Sequence, residues 1–214
     1  DYGGYILNED KTESGWDKPE TIEAMTLYFK MIDEAAPSLE VIAENPADVL
    51  FTSGKTAMYL AGSWMLASMR DNEYTAENAD IQVLPHYEGK RISIYNGLGW
   101  AADAKTEHPE EAWKLLEFLG SEEAQVMQAD LGVTMSAYGG ANDNWVKSYE
   151  GFNLQAYIDM MDDMVIRPYS RETLKWETAQ NDIMKELWQN NITVEEACMQ
   201  IAQQMNDFLA RENR

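Results

Sequence analysis

Between Val194 and Leu209 the residues Val194, Ala197, Cys198, Ile201, Met205, Phe208 and Leu209 recur at steps of mostly three or four, with largely polar residues between them. That spacing places them on one stripe of a helix, and such a stripe has to be covered by another part of the chain. Thr193 and Glu196 stand in capping-box register at its start, so the helix has a defined beginning. A long helix near the end of the chain, in need of a packing partner, is the first constraint on the fold.

The same periodicity recurs upstream. Asp17–Ala35 places Asp17 as N-cap, Pro19 and Glu20 in the first turn, and Ile22, Met25, Phe29 and Ile32 along one face. Pro109–Leu119 puts Ala112, Trp113, Leu115, Leu116 and Leu119 on one side, which predicts Trp113 as core; a second short helix follows from Ser121. Helical runs are also predicted over Leu154–Val165 and Glu172–Gln189, with Trp188 in the core, and a short one over Ala47–Phe51 that stops at Gly54.

Short apolar runs bounded by turn residues read as strands: Ala57–Ala61 ended by Gly62, Ile81–Leu84, and Gly97–Ala102. Ser63 is placed to cap a helix over 64–69. Gly132–Asn144 is glycine-rich and aperiodic, hence a loop. Strands alternating with helices, followed by a mostly helical second half, predict an α/β, helix-rich fold.

A chain of 214 residues is long enough to bury a sizeable core, and its 45% hydrophobic and 25% charged residues are those of a globular protein. No apolar run approaches the roughly 20 residues needed to span a bilayer as a helix. The 38 acidic against 16 basic side chains give a net charge of −22, spread along the chain, and that field repels a nucleic-acid backbone. Cys198 is the single cysteine, so no intrachain disulfide forms. The sequence opens at Asp1 with neither a basic segment nor an apolar one, so any secretion signal is expected to have been removed or to lie outside it, and these residues leave the compartment open.

Catalytic chemistry is sparse. The two histidines, His86 and His108, fall in polar turns and read as surface or capping residues. Cys198 sits on an apolar stripe and reads as an inert buried thiol. No cluster has the spacing of a metal site, no cofactor motif is present, and no pair of carboxylates stands out as the two a glycosidase needs.

Seven tryptophans are the stronger signal. An indole can receive the apolar C–H face of a pyranose, with amides, hydroxyls and carboxylates taking the sugar hydroxyls. Trp64, Trp100, Trp145 and Trp176 lie where composition leaves core and site equally open, whereas Trp16 reads as a staple or surface residue.

Tyr2–Tyr5 (YGGY), Phe51–Trp64 (FTSGKTAMYLAGSW), Ile81–Pro85 (IQVLP), Gly97–Ala104 (GLGWAADA), His108–Gln125 (HPEEAWKLLEFLGSEEAQ) and Ile192–Leu209 follow one another in an order that resembles the later portion of a sugar-type, maltose-binding-protein-like extracellular solute-binding protein of ABC importers. The resemblance implies the C-terminal lobe of a type II periplasmic-binding-protein-like fold with a truncated excursion of the N-terminal lobe. It implies three parts: residues 1–80 and 126–214 in the C-terminal lobe, and 81–125 as hinge crossing and excursion. Relatives carry an N-terminal lobe before the Tyr2–Tyr5 point, so the face of the excursion is expected to be uncovered, with self-association as one outcome.

The resemblance also implies a non-enzymatic receptor that captures a sugar or oligosaccharide between lobes and delivers it to permease subunits. It needs no cofactor and no metal. It would be extracellular, as a membrane-anchored lipoprotein, or periplasmic, meeting the membrane only through an anchor or the permease. Its ligand contacts would be Gly62, Ser63 and Trp64 in the Gly-Ser-Trp turn, Asn96, Gly97 and Trp100 near the hinge, Trp145 after the glycine-rich loop, and Tyr169 with Trp176 before the penultimate helix. The alternative from another class is an acidic helical protein–protein interaction module with structural tryptophans.

Overall fold

The computed structural model describes residues 3–87 and 89–212, with the side chain of Leu39 left aside. Tyr2 of the Tyr2–Tyr5 motif lies outside the described residues. In chain order the elements are α1 (Pro19–Ala35), α2 (Leu39–Glu44), α3 (Ala47–Thr52), α4 (Leu66–Arg70), α5 (Glu73–Asn78), β1 (Ser93–Tyr95), α6 (Pro109–Leu119), α7 (Glu122–Asp130), α8 (Asn142–Lys147), α9 (Gln155–Asp159), β2 (Met164–Ile166), α10 (Thr173–Trp188) and α11 (Val194–Glu212). Single 3-10 turns occupy Ser63–Met65 and Met161–Asp163.

The chain forms two compact units: Asp1–Glu44 with His86–Arg91 and Ile166–Arg214, and Asn45–Pro85 with Ile92–Val165. Each unit therefore draws on both the 1–80 and the 126–214 stretches.

The first unit is organised by α11. Its stripe buries Ala197, Cys198, Ile201, Ala202, Met205 and Leu209 against Trp176, Ile183 and Leu187 of α10 and against Trp16, while Ile22, Met25 and Phe29 of α1 close over the same core. Trp16 is thus a core residue and not the staple or surface residue expected: the turn before α1 carries it under the stripe. Trp188 is half-buried, its ring 4.7 Å from that of Phe29. The N-cap of α1 is Lys18 and not Asp17. Pro19 occupies the first helical position, and a residue preceding proline is held extended, so the cap falls on Lys18. At the other end of α10, Asn190 takes a left-handed φ of 59°, which lets the chain turn off the helix.

The second unit has its own core, made by Met65, Leu66 and Met69, Ala129 of α7, Ala141 and Trp145 around α8, and Phe152 with Leu154. Gly54 follows α3 at φ 72°, as its role as a helix stop requires. Ser121 caps α7 by accepting the Ala124 N–H.

Several expected elements take another form. Residues 57–61, 81–84 and 97–102 have no regular structure. Over 57–61 the side chains still alternate, Tyr59 and Ala61 packing on the core and Met58 and Leu60 pointing outward, as in a strand. A strand also requires a neighbour for its backbone groups, and the sheet among the described residues is two-stranded, pairing β1 with β2. The run predicted as a helix over 154–165 is divided into α9, a 3-10 turn and β2. Ser63 begins the first 3-10 turn and does not cap a helix; Gly62 precedes that turn and Met65 precedes α4.

The helix α6 forms as expected, yet none of its residues is buried. Trp113 is 61% exposed, with Leu115 and Phe118 also open, so the prediction of Trp113 as core is corrected. Its amphipathic pattern is sufficient to fold a helix, while burial requires a second surface over it.

Candidate functional site

The Gly62–Ser63–Trp64 turn belongs to the second unit and is rooted in its core through the next two residues, Met65 and Leu66, both buried. The Met65 N–H closes the turn by donating to the Gly62 carbonyl at 3.1 Å. Trp64 itself points outward and is 66% exposed, so its indole offers a face to solvent. Ser63 is half-buried, and its hydroxyl shares a 2.9 Å hydrogen bond with the hydroxyl of Thr134. Sequence reading missed Thr134, because nothing local links two hydroxyls 71 positions apart.

Thr134 stands on a loop that is itself organised. Gly132 adopts φ 66°, the Ser136 N–H donates to Asn142 Oδ1 at 2.9 Å, and the Ser136 hydroxyl donates to Gln125 Oε1 at 2.9 Å. The glycine-rich stretch expected as a loop is therefore irregular but pinned at both α7 and α8.

Asn96, Gly97 and Trp100 lie on the irregular 96–102 segment of the second unit, all exposed, with Trp100 at 64%. The remaining candidates behave differently. Trp145 is 0% exposed, its ring meeting that of Tyr157 edge-on at 5.6 Å inside the second core. Trp176 is 3% exposed in the first core, its indole N–H donating to the Ser170 hydroxyl at 3.0 Å. Neither ring presents a face for stacking, because α8 and α10 turn these positions inward.

Tyr169, in the first unit, is exposed, and the Lys11 ammonium stands 3.2 Å from its ring centroid. A hydrogen bond from Lys11, and then its charge, hold the phenol below its usual range. One face of this ring is consequently occupied by a cation within the chain.

A shallow open depression on the second unit is lined by Ser121, Glu122, Glu123, Val126, Met127, Asp130 and Leu131, none of them a sequence candidate. Among the described residues no group of three or more His, Cys, Asp or Glu side chains could hold a metal ion, and no helix is long and apolar enough to cross a membrane.

Comparison with known proteins gives these positions a context. Residues 1–126 match the family described as bacterial extracellular solute-binding protein. Maltodextrin-binding protein MdxE of Bacillus subtilis is 28% identical over 127 residues, 56% of this chain and 30% of that protein. A maltotriose-binding protein of Pyrococcus abyssi is 31% identical over 71 residues, 33% of this chain and 15% of that one.

Among solved structures, the ABC substrate-binding protein Lmo0181 of Listeria monocytogenes, in complex with cycloalternan, superposes with a TM-score of 0.84 at 20% identity, over 98% of this chain and 54% of its own. The maltose-maltodextrin binding protein of Alicyclobacillus acidocaldarius gives 0.70 at 18% identity, over 95% and 56%. The chain thus spans about half the length of these neighbours. The fold is that of a type II periplasmic-binding-protein-like protein, helix-rich and present as a partial domain. On the match that runs over residues 1–126, the chain belongs to the bacterial extracellular solute-binding protein family.

Proposed function

We propose that this chain supplies one wall of the ligand cleft of an ABC sugar importer's solute-binding protein, in which Trp64 is the stacking platform. The single observation that carries the reading is an indole left 66% exposed on a turn rooted in a buried core. An aromatic ring exposed on a rigid base suits the apolar face of a pyranose, which gains from stacking without a covalent step. Trp100 and the Asn96 amide, exposed on the 96–102 segment, would supply a second platform and a polar contact; Gly97 would keep the backbone accessible there. Trp145 and Trp176, enclosed in the two cores, are left out of this proposal, as is Tyr169, whose ring carries Lys11 on one face.

The relatives named for maltodextrin and maltotriose direct the choice of ligand to malto-oligosaccharides. In the whole receptor, closure over the sugar would be a ligand-driven population shift, and the closed form would deliver the sugar to permease subunits on the extracellular or periplasmic side, with a lipid anchor as one way of staying there.

Titration calorimetry with maltotriose and a maltodextrin mixture tests the reading. A single wall leaves half of the sugar in water, so binding is expected to be weak, with a Kd on the order of 1 mM, and to weaken at least about tenfold in Trp64→Ala. Equal affinity of wild type and Trp64→Ala would remove Trp64 from the site.

A second reading, an acidic interaction module, draws on the open apolar side of α6 with Trp113, Leu115 and Phe118. It gains if Trp113→Glu abolishes association with a protein partner while maltotriose fails to bind.

A further inference from the structure

We propose that Gly62 and Thr134 are positioning residues for Trp64, setting the angle at which its indole is presented, and that Ser63 serves this framework and not the ligand. The part concerning ligand affinity rests on the reading of Trp64 as a sugar platform; the part concerning the ring does not.

The six-membered ring of Trp64 lies against the Cα of Gly62. A Cβ at position 62 would overlap Cζ3, Cε3 and Cη2 of that indole. The backbone of Gly62, at φ −93° and ψ 176°, is ordinary extended chain open to any residue. Glycine is therefore required here by the ring and not by the backbone. Because Trp64 is largely exposed, a displaced indole has solvent to move into. A methyl group at position 62 should turn the ring out to another rotamer and leave the core intact.

Holding the ring also requires holding the backbone beneath it. Ser63 is tied to Thr134 by their shared hydrogen bond, and Thr134 stands on the loop fixed by Ser136 to Gln125 and Asn142. The indole is thereby referenced to α7 and α8, the helices that build the second core, and not to the irregular 57–61 segment alone. With its hydroxyl engaged by Thr134, Ser63 acts as the clamp of the turn. A ring already held in one rotamer loses less freedom on binding, which favours affinity.

The indole N–H cross-peaks of the nitrogen-15-labelled chain test this, the Trp64 peak being assigned by its loss in Trp64→Phe. Without sugar, Gly62→Ala and Thr134→Val are expected to shift or broaden the Trp64 peak and to leave those of Trp145 and Trp176 in place, showing that both cores persist. Thr134→Ser, which keeps the hydroxyl, is expected to restore the wild-type peak. An unmoved Trp64 peak in both Gly62→Ala and Thr134→Val overturns the proposal.

With maltotriose added, both variants are expected to bind about three- to tenfold more weakly than wild type, and Thr134→Ser to bind normally. Displaced rings with unchanged affinity would overturn the role in binding. A Trp64 peak that maltotriose leaves unmoved in the wild type, while Gly62→Ala and Thr134→Val displace it in the sugar-free chain, would sink the sugar reading and uphold the positioning of the ring.

Discussion

Glu196 and Thr193 close a reciprocal box at the start of α11: the carboxylate accepts the Thr193 N–H at 2.8 Å and its hydroxyl at 2.9 Å, and the Glu196 N–H donates to the Thr193 hydroxyl oxygen at 3.2 Å. These bonds, the backbone one first, hold the Glu196 carboxyl below the usual carboxylate range. A carboxyl whose folded pKa is depressed contributes stability above its unfolded pKa, and that contribution is lost as pH falls through the folded value.

Glu196→Gln keeps a hydrogen-bonding side chain in the box but cannot titrate. The wild type should therefore exceed it in stability near neutral pH, and the difference should shrink as pH falls below about 4.5, the unperturbed glutamate value. Urea denaturation of both at about pH 7 and about pH 3 checks this; a constant difference would show that the charge has no role. Thr193→Ala, which removes both the cap and the hydroxyl's bond to the Glu196 carboxylate, should cost about 1 kcal/mol near pH 7 and less at about pH 3, where that carboxyl is protonated.

Trp145 and Trp64 should separate by what their removal costs. Trp145 is wholly enclosed in the second core, so Trp145→Ala should destabilise by roughly 3–5 kcal/mol through the cavity it leaves. Trp64→Ala, at an exposed position, should stay within about 0.5 kcal/mol of wild type. Denaturation midpoints of the two variants, measured side by side, decide the matter; comparable losses would contradict the assignment of one ring to the core and the other to the surface.

Cys198 is buried on the α11 stripe, and burial pushes its thiol up to about 11. A thiol with a raised folded pKa contributes stability fully below its unfolded pKa, and that stability is lost as pH rises toward the folded value. The folded chain should resist alkylation by iodoacetamide at about pH 8 and react promptly once unfolded in urea. Rapid labelling of the folded chain would place the thiol elsewhere. Stability should also begin to decline above pH 9.0, where the thiol of the unfolded chain ionises first.

The open side of α6 predicts a measurable apolar surface. Trp113, Leu115 and Phe118 lie exposed on a helix with no buried residue. Leu115→Glu with Phe118→Glu should lower binding of an apolar fluorescent dye and reduce any self-association seen by light scattering, with helicity retained by circular dichroism. Unfolding of the double variant would instead mean that these side chains contribute to the core.

The helices were the most legible part of the sequence, because a helix satisfies its own backbone groups within four residues. Periodicity and capping residues mark α1, α6, α7, α10 and α11 within a few positions of where they lie. The departures, Lys18 for Asp17 as cap, Ser63 opening a 3-10 turn instead of capping a helix, and the division of 154–165 into three short elements, are changes in local detail. Strands were far less legible. Residues 57–61 carry the alternation of a strand, but forming one requires a second segment alongside, and no local pattern states whether it is there.

The tryptophans divide along the same line. From the order of its motifs the sequence determined the family resemblance, the long amphipathic helices and the Gly62–Trp64 turn as a place of interest. Only the tertiary structure decided that Trp16, Trp145 and Trp176 are core, that Trp64, Trp100 and Trp113 face solvent, and that Thr134 holds Ser63. Burial is a property of which surfaces meet, and an aromatic residue has the same chemistry in a core as on a cleft wall; packing between distant segments, which no local spacing encodes, assigns the role.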